Sequence, residues 1–126
     1  MHFLLEAIYR NGLRSEYTLR VLEEWKGPIK DFPKGLPEGF HKPNEDYQFD
    51  YSHAWGGTPA YALPLALTGL EIVKEGFQEI ELSPSLLGLE YANVEIPTPY
   101  GMIKVIQKRG ETPRIDVPQE IQYTVK

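Results

Sequence analysis

The stretch Thr58–Ser83, TPAYALPLALTGLEIVKEGFQEIELS, decides the fold, because the hydrophobic period changes inside it. Thr58-Pro59 fits a helix N-cap followed by proline at the first helical position, where no amide hydrogen is needed. Tyr61, Leu63, Leu65, Ala66, Leu67 and Leu70 then place apolar groups almost all the way round, which predicts a helix buried on most sides. Pro64 lacks an N–H to donate and should kink it; Gly69 stands near its C-terminal stop. After Gly76 the period is two: Ile80 and Leu82 alternate with Glu79, Glu81 and Ser83.

Downstream the same alternation continues. Val94 and Ile96 flank Glu95, Ile103 and Val105 flank Lys104, and Ile121, Tyr123 and Val125 alternate with Gln122, Thr124 and Lys126. Arg109-Gly110 reads as a turn between a strand over Met102–Lys108 and one over Ile115–Val117. Upstream the period is helical. Phe3, Leu4, Ala7 and Ile8 form the stripe of an amphipathic helix, and Asn11-Gly12 supplies its stop. Ser15 is the expected N-cap of a second helix that carries Tyr17, Val21, Leu22 and Trp25 and ends near Gly27-Pro28. A short loop between the two makes an antiparallel hairpin. The class is therefore α+β, with helices first and antiparallel strands after, and a boundary near residues 72 to 76.

Between Pro28 and Tyr51 no period is visible, and prolines at 28, 33, 37 and 43 with glycines at 35 and 39 argue against a regular element. Phe40, Tyr47 and Phe49 are too many aromatics for a solvated linker, so the segment reads as an ordered loop packed on something.

Composition excludes several classes. With 41% hydrophobic and 25% charged residues, the 126-residue chain is ordinary globular material, not a disordered one. Thirteen basic against 18 acidic residues, net −5, make nucleic acid or an acidic membrane a poor partner. The run Phe3-Leu4-Leu5 is interrupted by Glu6, so no signal-peptide core is expected, and no stretch approaches the roughly 18 apolar residues of a spanning helix. Without cysteine there is neither a disulfide framework nor a thiolate site, and the compartment is not legible. No nucleotide-binding, phosphate-binding or metal motif occurs, and His2, His41 and His53 are too scattered for a metal site. No cofactor is expected.

The chemistry-bearing residues lie in the irregular loop and its close, Leu36-Pro37-Glu38-Gly39-Phe40 and Tyr51-Ser52-His53-Ala54-Trp55-Gly56-Gly57. Glu38 stands between a proline that fixes the backbone and a glycine that frees it, a setting that can aim a carboxylate at a cleft. A general base needs such aim to reach its water. Read alone, Glu38 is more simply a solvated loop carboxylate. His53 offers one donor and one acceptor to a sugar hydroxyl, and Trp55 a flat apolar face and an N–H. The plainer reading makes His53 a capping or core histidine and Trp55 a packing residue. Gly56-Gly57 shifts that balance only slightly toward function, since it marks close backbone approach or an unusual turn.

Taken together, a helical hairpin, a Glu-bearing loop, Ser52-His53-Ala54-Trp55 and a β segment resemble the C-terminal end of bacterial α-L-rhamnosidases. The β segment contains Glu75-Gly76-Phe77-Gln78-Glu79-Ile80 and Pro97-Thr98-Pro99-Tyr100-Gly101-Met102-Ile103. The likeness runs from about Leu4 to Val117. It implies that residues 1–74 are the terminal helices and active-site loop of an (α/α)6 barrel and residues 75–126 a C-terminal β-sandwich domain. It implies inverting hydrolysis of terminal α-L-rhamnosides, with Glu38 the candidate general base, His53 a sugar-contacting residue and Trp55 a weaker one. Inversion places two carboxyl groups roughly 6.5–9.5 Å apart, and the general acid would belong to an earlier part of the barrel, upstream of this chain. The loop lacks the aromatic that many relatives place directly before the Glu, which keeps Asp31 and Glu45 open as rivals. The expected partners are a carbohydrate, the upstream barrel polypeptide and a second copy, because helices cut from a ring expose apolar faces. On this reading the chain alone is inactive. A non-catalytic sugar-binding or structural module is the alternative.

Overall fold

A computed structural model describes residues 1–31, 35–37, 39 and 53–126. The chain forms two compact units, Met1–Ala62 and Leu63–Lys126.

In the first unit, α1 (His2–Arg10) is followed by α2 (Arg14–Leu22). The stop between them is complete: Gly12 adopts φ +70, its N–H bonds Tyr9 O, and the Leu13 N–H bonds Ile8 O. That is the six-to-one and five-to-two closure that a left-handed glycine permits. Three expectations are corrected here. Leu13, not Ser15, precedes α2, and no side chain caps it. The second helix does not run to Gly27-Pro28; it breaks at Leu22 into a 3-10 turn, Glu23–Trp25, and α3 (Lys26–Asp31). Pro28 falls in the first turn of α3, where its missing N–H would have had no intrahelical acceptor, so the proline does not exclude a helix there. The buried stripe of α1 is Leu5 and Ile8, while Phe3 and Leu4 face solvent. One step of register separates the two faces, and only the packing partner selects between them. Leu5, Trp25 and Ala62 form this unit's core, with Val21, Leu22 and Leu36 against it.

The second unit begins inside α4 (Pro59–Thr68), which starts at the expected proline and contains Pro64. Its last carbonyls need donors beyond the helix, and the chain that follows supplies them. Leu65 O accepts from Gly69 N–H, Thr68 O from Ser83 N–H, and Leu67 O from both Ser85 N–H and the buried Gln107 Nε2. Gly69 turns the chain at φ +61.

Six strands follow: β1 (Glu71–Lys74), β2 (Glu79–Leu82), β3 (Tyr91–Thr98), β4 (Gly101–Lys108), β5 (Arg114–Asp116) and β6 (Gln122–Val125). They form two three-stranded sheets, ordered β1-β2-β6 and β3-β4-β5. Ile80 and Leu82 from β2 and Ile103 and Val105 from β4 are fully buried in one shared core with Leu70 and Ile121, which makes the pair sandwich-like. The fold is α+β, helices before strands, and its pairs are antiparallel except β2·β6. That parallel pair is possible because the whole second sheet forms the crossover between its strands. The phrase Pro97–Ile103 is the β3–β4 hairpin. Thr98 Oγ1 accepts from Tyr100 N–H and donates to Gly101 O, closing a turn in which Gly101 takes φ +128. The strand β1 has no clear sequence signal: all of Glu71–Lys74 is exposed, so no alternation of burial marks it.

Candidate functional site

The segment His53–Gly57 is built around a 3-10 turn, Ala54–Gly57. His53 is extended (φ −122, ψ 138) and caps it: its Nδ1 accepts the Trp55 N–H at 3.1 Å. A nitrogen that accepts carries no proton, so the neutral ring holds its hydrogen on Nε2, which is then a donor for a ligand oxygen. Thr58 closes the turn, donating Oγ1 to Trp55 O at 2.7 Å.

This turn is clasped by two other parts of the same unit. His53 N–H bonds Leu36 O at 2.8 Å, and the Trp25 indole donates to Gly56 O at 2.9 Å. Gly56 is required by space. A Cβ there would lie 2.6 Å from Pro37 O and 2.7 Å from Leu36 O, closer than real Cβ atoms approach backbone. The close approach expected of the glycine pair therefore belongs to Gly56; Gly57 has open space around it.

Against this clasp lies a cleft of about 310 Å³, at the lower end of the range for small-ligand sites. It is lined by the buried Trp25 and Gly56 together with Met1, His2, Phe3, Gly39 and Trp55. Phe3 is 77% exposed and Trp55 64%, so two aromatic side chains of the lining stand open to solvent. The His2 ring is positioned by Tyr61, whose hydroxyl is hydrogen-bonded to Nδ1, while Nε2 stands 3.9 Å from Glu6 Oε2. Burial first, and the Glu6 carboxylate second, raise the Tyr61 phenol above its ordinary range, which keeps it protonated.

His53 and Trp55 are thus brought together, with ring centroids 5.3 Å apart at 64°. Trp55 lines the cleft; His53 touches it edge to face and is not one of the described lining residues. Glu38 and the rival Glu45 lie outside the described residues, though the neighbours Pro37 (buried) and Gly39 (at the cleft) are described. Asp31, the other rival, is exposed at the end of α3. Among the described residues no cluster of His, Asp and Glu could hold a metal ion, and no helix is long and apolar enough to cross a membrane. Sequence reasoning missed His2 and Phe3. The periodicity assigns Phe3 to the buried stripe, and nothing local connects the start of α1 with residues 53–56.

No protein-family model matches the chain, and no curated protein matches it.

Proposed function

We propose that the cleft beside Trp55 binds a sugar, in a chain that forms the C-terminal part of an inverting α-L-rhamnosidase-type glycoside hydrolase. The observation that carries the proposal is the open indole of Trp55, on a clasped turn next to a histidine whose Nδ1 accepts the Trp55 N–H, which makes Nε2 the donor of the neutral ring. A pyranose stacks its C–H face on such a ring and offers hydroxyls to such a donor. Glu38, adjacent in sequence to the cleft residue Gly39, is the general base of this proposal. The general acid comes from polypeptide outside this chain, so the chain alone turns over no substrate. The groove lined by Leu4, Ile8, Leu13 and Val21, with Tyr17, Arg20 and Glu24 beside them, is where this reading seats a further helix of the barrel.

A sugar-binding module without chemistry is the second reading, and it rests on the same exposed Trp55 indole at the cleft. L-Rhamnose titration followed by indole fluorescence tests the binding. A saturable change in the native chain that disappears in Trp55→Ala is the expected result, and no change at any concentration sinks both readings. Catalysis separates them. In a longer polypeptide that hydrolyses an aryl α-L-rhamnoside, Glu38→Gln lowers the rate on the order of 10²-fold or more if Glu38 is the base. Undiminished activity removes Glu38.

A further inference from the structure

The two sheets of the second unit have four outer edges, and three of them carry features that discourage pairing with another strand. The edge β1 is bulged between Ile72 and Lys74 and bears Glu71 and Lys74. The edge β3 contains Glu95 and Pro97, and β5 is bounded by Arg114 and Asp116. Charges, prolines and bulges are the usual protection of a sheet edge. The fourth edge, β6, has none: Gln122-Tyr123-Thr124-Val125 is uncharged, regular in register with β2, and exposed throughout.

Its backbone polarity is fixed by the pairing it already makes. Gln122 N–H donates to Gln78 O and Lys126 N–H to Leu82 O. Successive peptide groups of a strand point to opposite sides, so Gln122, Thr124 and Lys126 address β2. Tyr123 and Val125 turn their N–H and C=O groups outward. No strand pairs with that side among the described residues.

We infer that β6 is the self-association surface of this chain, pairing antiparallel with β6 of a second copy about a two-fold axis through Thr124. The occupant is a second copy because this segment is complementary to itself in the register that pairs both of its outward residues at once. Tyr123 and Val125 of one chain exchange backbone bonds with Val125 and Tyr123 of the other. Each aromatic ring then lies across from a β-branched side chain, and Thr124 meets Thr124 at the axis, both favourable cross-strand pairs. No like charges oppose one another: the partner of Gln122 is Lys126, whose ammonium is held by Glu81 of its own chain. Tyr123 and Val125, 45% and 52% exposed, lose solvent contact, and each three-stranded sheet becomes half of a continuous six-stranded one. The inference is independent of the sugar cleft.

Sedimentation of the purified chain over a concentration series tests it, with amide hydrogen exchange read residue by residue. The expected result is a monomer–dimer equilibrium in which the Tyr123 and Val125 amides become protected as concentration rises. Thr124→Lys, at an exposed position, sets like charges together at the axis and weakens the dimer about tenfold. Thr124→Glu does the same alone, and an equimolar mixture of the two variants restores association. A chain that stays monomeric throughout overturns the inference. So does a dimer indifferent to both variants, or one abolished instead by Leu4→Asp in the α1–α2 groove. Far-ultraviolet circular dichroism confirms that each variant remains folded.

Discussion

The indole N–H of Trp25 donates to the carbonyl of Gly56 at 2.9 Å, joining positions 31 residues apart in the chain. Trp25 is 2% exposed, so the bond is made in a dry environment where either group alone would be costly to leave unpaired. It holds the turn that presents Trp55. Stability of the first unit and geometry of the cleft therefore share one contact.

Trp25→Phe keeps most of the packing and removes the donor. The expected cost is about 1–3 kcal/mol, from the buried Gly56 carbonyl left without its partner. Gly56→Ala leaves that bond and instead drives a methyl group into the Leu36 and Pro37 carbonyls, costing about 1–3 kcal/mol by overpacking. Urea denaturation monitors both. Native stability in Gly56→Ala would mean that the clasp is looser than described.

Trp55→Ala separates function from fold. The side chain is mostly solvent-exposed, so stability should change by no more than about 0.5 kcal/mol. Rhamnose-induced spectral change should be lost in the same variant. A large fall in melting temperature would instead make Trp55 a packing residue.

The Tyr61 phenol provides a pH prediction. Its folded-state pKa is raised, by burial first and by Glu6 second, above an unfolded value of about 10. Its contribution to stability is therefore fully present below that unfolded value and is lost as pH rises through the higher folded one. Phenolate absorbance of native protein minus that of Tyr61→Phe should titrate above pH 10. A difference curve centred below that value contradicts the assignment.

In the second unit, Ile80→Ala and Gln107→Leu should differ in size. Ile80 is fully buried between the sheets, and its truncation should cost about 2–5 kcal/mol. Gln107 donates to Leu67 O, but that carbonyl also accepts from Ser85 N–H. Losing the side-chain bond should therefore cost nearer 1 kcal/mol. Thermal melts rank the two directly; equal costs would show that the Gln107 bond is not redundant.

Much of the fold is legible residue by residue. The alternation around Ile80, Leu82, Ile103 and Val105 identifies side chains that are fully buried, because a strand with one covered face has no other way to arrange them. The same rule fails at β6, where Tyr123 and Val125 alternate as well but stay exposed, since among the described residues no layer covers either face. The resemblance phrase Pro97–Ile103 proves to be a hairpin whose residues serve the turn. At the site, the tight approach at the glycine pair is readable from composition, and the pairing of His53 with Trp55 follows from their spacing.

By itself the sequence determined that helices precede strands and where glycine stops a helix, as at Gly12 and Gly69, because those depend on neighbours in the chain. The tertiary structure alone decided that Leu5 and not Phe3 is buried, that Trp25 reaches Gly56, and that β2 lies parallel to β6. Each of these depends on a partner remote in sequence, and local periodicity contains no information about which remote surface will arrive.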